Sequence, residues 1–479
     1  MEAARTLWVA ASLPASALSR LSLPASDNAV NSSFMLASAA QSAIGLAGLS
    51  AAHLHFLRSG VEQHVSVDAR HAVLEFHSEV FYTLDGQPPG RVWDTIAGLY
   101  KTRDGGHVRI HTNFPHHRRG ILTLLSLPDT PTTSRADVKT ALLQYDAIPF
   151  ETQAATAGMC ATALRSYTSW NEHPHAKALQ GVPPVQIVKI GDAPRRVAVG
   201  GKRPLDGIRV LDLSRVLAGP IAGRTLAAHG ADVLLVTSPS LPALPTLDVD
   251  TSRGKRTTQL DLTLPEDQAT LRTLTSDADV FLQAYRPGGL ESKGFGPEEL
   301  AKLRPGIICA NLRAWGWEGP WRDRRGFDSL VQTATGFNVS EAEAFSQYNG
   351  SVGDLEPKPL PIQALDHAAA YLLAFGVNAA LCKTITDGGS YEVRVSLAAV
   401  GQWIRSLGTR SPEDAFGPDA RPLAAQNDEE IQRLSCDWSS PASDGRKLRA
   451  LRHAAVLSAT PVKLGEAPLM LDVHRPEWL

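Results

Sequence analysis

Sulfur and aromatic side chains are scarce in this 479-residue chain, which has four cysteines, four methionines and only 6% Phe, Trp and Tyr. Cys160, Cys309, Cys382 and Cys436 lie far apart without paired spacing. That argues against a disulfide framework or a zinc site and fits a reducing, cytoplasmic setting. Charge of one sign is lacking too: 47 basic and 49 acidic residues leave a net −2. No global basic field therefore points to nucleic acid or to a membrane surface. The segment 1–11 mixes acid and base and has no long apolar core, so a secretory signal is not expected. One apolar stretch, 34–52, approaches the length of a membrane span, but Ser38, Gln41, Ser42 and Ser50 interrupt it and Ala and Gly build it. A packed interior helix is the better reading. No G-x-G-x-x-G fingerprint follows the first strong strand, and Gly254-Lys255 lacks the rest of a phosphate loop.

What is present is most legible in the middle of the chain. Short apolar strands are expected over 207–213, 231–236, 280–284 and 307–312, and a Leu-Asp-Leu strand over 260–262. Between them fall a helix from Ala218 to near His229, a second over 265–276 opened by Pro-Glu-Asp, and a short one over 297–303. This alternation predicts an α/β fold whose parallel sheet is covered on both faces, with ligands at the carboxyl ends of the strands. Those ends carry Ser214-Arg215, Tyr285-Arg286 and Arg313.

Elsewhere the texture changes. Residues 100–110 read as a hairpin turning at Asp104-Gly105-Gly106, followed by a helix near Arg119. His116-His117 has no nearby carboxylate or cysteine partner, so no metal site is expected. The length suggests two or three domains. The boundaries are a helical segment 1–79, a small α+β domain 80–191, a linker 192–205, a sheet domain 206–400, and a C-terminal excursion and return segment 401–479. An offset of 328 aligns Gly48 with Gly376, Gly60 with Gly388, Val65 with Val393 and Val67 with Val395. Each copy then reads as helix, glycine-containing turn, short strand and helix, which points to a duplication. Ser38 stands opposite Asp366, so only the second copy carries a carboxylate. At the start of an alanine-rich buried helix, Asp366 reads either as an N-cap or as a sheltered nucleophile held ionised by the helix dipole.

The order of motifs carries a resemblance. Leu205 to Pro220 with Gly230-Ala231-Asp232-Val233, Arg253-Gly254-Lys255-Arg256, Tyr285-Arg286-Pro287-Gly288-Gly289-Leu290, Arg325-Gly326-Phe327-Asp328 and the Asp366 helix follow one another as in family III CoA-transferases of the CaiB/BaiF group. The resemblance implies a Rossmann-like CoA-binding domain plus a smaller α+β domain, here in a rearranged and partly duplicated order. It places Asp366 on the catalytic aspartate, and Arg215, Val216, Leu217, Ala218, Lys255, Arg256, Tyr285, Lys293 and Arg325 along the CoA groove. It implies CoA transfer from an acyl-CoA to a small carboxylic acid through aspartyl anhydride and aspartyl-CoA thioester intermediates. Coenzyme A enters as substrate, with no metal or redox cofactor. An Asp that titrates near about 4 needs no activating base, and helix-start N–H groups suit the oxyanions.

The family's interlocked homodimer is a further implication, unless one chain already supplies what two usually do. A racemase of the α-methylacyl-CoA type shares the aspartate but uses a histidine where this chain has Phe327, unless His367 has taken that role. A non-catalytic acyl-CoA-binding homologue is the third reading. The glycine-rich loop that covers the aspartate in the family is not recognisable in 80–120, and 237–240 lacks the charged residues common there in relatives. By location the resemblance suits the cytoplasm, the peroxisome or the mitochondrion.

Overall fold

The computed structural model describes residues 1–24, 28–351, 355–439 and 445–479. Its centre is a seven-stranded sheet in the spatial order Arg256–Gln259, Asp232–Thr237, Arg209–Leu213, Val280–Gln283, Ile308–Arg313, Ser390–Ser396 and Val185–Gly191. The first six are parallel and the last is antiparallel. In chain order the six run 3-2-1-4-5-6, the doubly wound arrangement, so the direction of winding reverses between Arg209–Leu213 and Val280–Gln283. Alternate residues face opposite layers. Val210, Val233, Leu282, Ala310 and Val393 enter the large core beneath the helices Ala218–Ala228 and Ala364–Thr386. Leu211, Leu234, Phe281 and Cys309 enter a second core with Leu271 and Leu300 from the helices Pro265–Ser276 and Pro297–Leu303. Period-2 alternation on a sheet buried on both faces gives the near-continuous apolar runs seen in the sequence.

Four expected strands and three expected helices are present within a residue or two of their bounds. The strand after Lys255 is Arg256–Gln259, not Leu260 to Leu262, because pairing with Asp232–Thr237 ends at Gln259. The strand Val185–Gly191, placed with the small domain from sequence, leaves it to become an edge of the central sheet. The boundary after residue 400 falls inside the helix Leu397–Ser406. The excursion 409–434 is anchored by Arg70, which holds Glu430 at 3.0 Å and donates to the Pro422 carbonyl.

The small domain has its own core. Strands Gly98–Lys101, His107–Ile110 and Ala161–Ala163 form an antiparallel sheet covered by the helices Pro115–Leu124, Arg135–Leu142 and Ala147–Thr156. Val108, Ile121, Val138, Leu142 and Phe150 are fully buried there.

The offset of 328 is written into the geometry. The helix Leu36–Ser59 corresponds to Ala364–Thr386, and each stops at a left-handed glycine, Gly60 or Gly388. The following strands, Val65–Val67 and Ser390–Ser396, lead to helices that begin at Ala69 and Leu397. Their N-caps, Asp68 and Ser396, accept from His71 N–H and Ala399 N–H, again 328 apart. The copies also meet at equivalent positions, since Asn378 Nδ2 donates to Ser50 Oγ at 3.2 Å. Contact between equivalent residues is the mark of a two-fold axis. Each copy receives an antiparallel edge strand from beyond the other: Val185–Gly191 on the second and Ala455–Leu457 on the first.

Both long helices are apolar on nearly every face and buried almost throughout. Ala364–Thr386 is long and apolar enough to cross a membrane, but the sheet and the helix Leu36–Ser59 enclose it. The stretch singled out from sequence for that property was instead 34–52, whose helix is equally interior. Glycine lets each helix approach its strand. A methyl on Gly376 would press into Val393 and stand 3.0 Å from Val185, and one on Gly48 would stand 3.0 Å from Val65. Ala at an open helix position gains about 1 kcal/mol over Gly. Gly376→Ala is expected instead to cost about 1–3 kcal/mol by overpacking. Denaturant unfolding that shows an unchanged or raised midpoint for this variant would contradict the close helix–strand packing.

Candidate active site

A cleft of about 1050 Å³ opens at the carboxyl ends of the central strands, where the winding reverses. Its sheet side is built from Arg215, Val216, Leu217 and Ala218 after the first strand and from Tyr285, Arg286 and Lys293 after the fourth. The small domain closes the other side with Phe114, His116, His117 and Arg119. Asp366 lies on the wall with Arg325, Gly326 and Phe327. Of the ten residues expected from sequence, the structure brings eight together here: Asp366, Arg215, Val216, Leu217, Ala218, Tyr285, Lys293 and Arg325.

Lys255 and Arg256 are not among them. Lys255 is buried behind the first strand, where its Nζ pairs with Asp212 Oδ2 at 2.7 Å and donates to the Pro220 carbonyl at 2.7 Å. Arg256 makes a two-pronged pair with Asp232, both contacts at 2.9 Å, and donates to the Glu477 carbonyl. Each cation is consumed by a carboxylate of the central sheet, so neither is left for a phosphate.

Several cleft cations are less committed. Arg215 lies over the Phe114 ring at 5.2 Å and the Tyr285 ring at 5.4 Å, tying the two domains together. Its neighbour Val216 has φ 75°, a left-handed conformation that strains a β-branched residue. Arg325 Nη1 lies 2.7 Å from His117 Nε2. Burial, with Arg325 and Arg215 nearby, pushes the His117 imidazole down to about 3, so the neutral ring can accept from Arg325. Among the described residues, no carboxylate pairs with Arg215, Arg286 or Arg325. Unneutralised arginines around a concave site suit phosphate or carboxylate anions.

Asp366 sits in the first turn of the helix Ala364–Thr386, 8% exposed and open to the cleft. It is not the N-cap, which is Gln363. Capping falls to Asp328, whose Oδ2 accepts from Leu365 N–H at 2.7 Å and Asp366 N–H at 3.0 Å. Asp328 also accepts from Gln332 Nε2. The two amides expected to serve an oxyanion are therefore already taken. Among the described residues no hydrogen bond reaches the Asp366 carboxyl, which leaves its oxygens free toward the cleft.

The expectation that Asp366 is held ionised is also corrected. Burial, then the Asp328 and Glu79 carboxylates, raise its pKa well above the ordinary range. Asp328 is raised as well, chiefly by burial. His367, the candidate second base, points away from the cleft. Its Nε2 lies 3.1 Å from Glu79 Oε2, and its ring stacks on Phe76 with centroids 5.4 Å apart.

Sequence reasoning missed Asp328, Glu79 and Arg109 as parts of the site. Asp328 was visible in Arg325-Gly326-Phe327-Asp328 but read only as a family mark. Arg109, on the strand His107–Ile110, faces Asp328, and burial lowers its pKa to about 10. Beside it His111 stacks face to face on Phe327 at 3.6 Å. Nothing in the local sequence of Glu79 marked it.

The doubly wound sheet opens its crevice at the switch point, where α/β folds of this kind place their ligands. Residues 205–427 match the model of CoA-transferase family III. Over 338 residues the chain is 30% identical to an acetyl-coenzyme A transferase of Hypoxylon pulicicidum, covering 66% of this chain and 55% of the relative. It is 32% identical over 240 residues to a probable fatty acyl-CoA transferase of Mycobacterium tuberculosis, covering 46% and 59%. A succinate–glutarate CoA-transferase of Agrobacterium fabrum is 32% identical over 217 residues, covering 42% and 52%. The chain thus spans little more than half the length of these relatives.

Lys255 and Arg215 separate by experiment. Removing one partner of a buried pair costs about 3–5 kcal/mol, so Lys255→Met should lower stability by that order. Arg215→Ala should instead raise KM for a CoA thioester about 10-fold or more, at the usual worth of a charge-assisted contact. Thermal unfolding and steady-state kinetics of both variants check this; a KM effect without destabilisation in Lys255→Met would refute its placement.

Proposed function

We propose that the protein transfers CoA from an acyl-CoA thioester to a small carboxylic acid, with Asp366 as the nucleophile. The observation that carries this reading is an Asp carboxyl with no hydrogen bond from the described residues, opening into a cation-rich cleft at the switch point of a CoA-transferase family III domain. Relatives named for acyl-CoA transfer, one of them for succinate and glutarate, support it.

In the first step the Asp366 carboxylate attacks the thioester carbonyl and CoA leaves as thiolate, forming an acyl-aspartyl anhydride. The thiolate returns to the aspartyl carbonyl, giving an aspartyl-CoA thioester and freeing the first acid. An incoming carboxylate then attacks that thioester, forming a second anhydride, and the thiolate takes the new acyl group while Asp366 is regenerated. Each step exchanges one acyl bond for another with a thiolate or a carboxylate as leaving group, the overall exchange of one thioester for another is near balance, and the carboxyl group stays in one redox state throughout. Arg215, Arg286 and Lys293 suit the phosphates of CoA, while Val216 and Tyr285 suit its apolar arm. The racemase reading needs a histidine where Phe327 lines the wall, and His367, the candidate replacement, is turned to Glu79.

Only the ionised carboxyl attacks. Because its pKa is raised, activity should fall as pH drops through a value well above the ordinary carboxylate range. Incubation with succinyl-CoA and hydroxylamine should give a hydroxamate on Asp366, found by peptide mass spectrometry and absent in Asp366→Ala. Turnover by Asp366→Ala within 10-fold of the parent protein would end this reading.

A further inference from the structure

The first copy has no carboxylate at Ser38, yet it reaches the second copy's reaction site. After the helix Ala69–Glu75 the chain turns through Ser78–Val80 and delivers Glu79 to the interior beside the second long helix. Glu79 is fully buried. One carboxylate oxygen lies 3.1 Å from His367 Nε2 and the other 3.3 Å from His77 Nδ1. His367 directly follows Asp366, and its ring is clamped against Phe76, also from the first copy.

We propose that Glu79 is a positioning residue for Asp366, fixing through His367 the start of the catalytic helix and setting by its buried charge the pH at which Asp366 becomes a nucleophile. This rests on Asp366 being the nucleophile.

The groups around Asp366 come from three elements. Asp328 caps its helix from the helix Asp328–Ala334, and Glu79 stands behind it, 3.3 Å from His77 Nδ1 and 3.1 Å from His367 Nε2. Arg109, from the small domain, faces Asp328 and opposes the carboxylates. Of the other acids in this interior, Asp250 is held by Arg224 at 2.5 Å, Arg253 at 2.7 Å and Ser78 at 2.7 Å, and Glu75 lies 2.9 Å from His453 and 4.0 Å from Arg224. That cluster is neutralised within itself, so Glu79 is the negative charge of the first copy most directly linked to Asp366. The direction of its effect follows from charge: a carboxylate behind Asp366 raises the proton affinity of the nucleophile, and burial makes the effect larger than in water.

The test measures the Asp366 carboxyl itself. In full-length protein labelled with 13C at aspartate carboxyls, the resonance missing from Asp366→Ala identifies Asp366, and its midpoint is followed against pH beside the pH profile of kcat/KM. Glu79→Gln keeps the shape and removes the charge, so the midpoint and the acid limb should both fall by about one pH unit or more. His367→Phe keeps the ring on Phe76 and removes the nitrogen that holds Glu79, so the midpoint should move by about half a pH unit or more; it carries the test if Glu79→Gln does not fold. Midpoints that stay within a few tenths of a pH unit in both variants would overturn the proposal. A moving midpoint in a protein whose Asp366→Ala variant still turns over would sink the nucleophile reading instead and leave the electrostatic link standing.

Discussion

The burial of one apolar helix constrains everything else in this structure. Ala364–Thr386 is apolar on all sides, and a helix of that kind has no face to offer water. The sheet covers one side of it, and the helix Leu36–Ser59 covers another. That second helix is its own echo at an offset of 328, meeting it where Ser50 touches Asn378. In an assembly of identical subunits such a self-complementary face would be shared between two molecules. Here one chain holds both halves, and the crossed edge strands Val185–Gly191 and Ala455–Leu457 bind each half to the other.

A helix buried this deeply begins in a place where charge is costly, and Asp366 sits in its first turn. The arrangement divides the work between two carboxylates. Asp328 takes the helix-start amides, satisfying donors that burial would otherwise leave unpaired. The Asp366 carboxyl then takes no hydrogen bond from the described residues and is turned to the cleft, but it faces a like charge, and its proton is held more tightly. A carboxylate anchored by those amides would ionise readily and attack poorly, because its lone pairs would be occupied. Freedom of the reacting oxygens and ease of ionisation oppose each other at this position.

The parts read correctly from sequence are those fixed by neighbours in the chain. Strand and helix periods, the Pro-Glu-Asp opening at Pro265 and the glycine stops at Gly60 and Gly388 are local, and each is where the sequence placed it. The 328 offset was legible because Gly48 and Gly376 answer the same steric demand against Val65 and Val393. Lys255 and Arg256 were misplaced because the fate of a cation depends on partners such as Asp212 and Asp232, set by strand pairing. The protonation of Asp366 failed for the same reason: Glu79 approaches it from the far end of the chain. His367 looked available in the sequence beside Asp366, yet successive helical residues point about 100° apart, and it faces the opposite interior.

The asymmetry between Ser38 and Asp366 has a physical cause in what surrounds each helix start. The second copy stands over a sheet whose strands turn opposite ways from Arg209–Leu213 and Val280–Gln283, and that divergence opens the crevice. Among the described residues the first copy keeps a three-stranded sheet, Leu21–Ser22, Val65–Val67 and Ala455–Leu457, with no winding reversal of that kind. A carboxylate at position 38 would carry the cost of placing charge at the start of a buried helix with no substrate to meet. The first copy has thus kept what packing needs, the helix, the glycine approach and the capped turn, and sets one buried carboxylate, Glu79, against His367 beside Asp366.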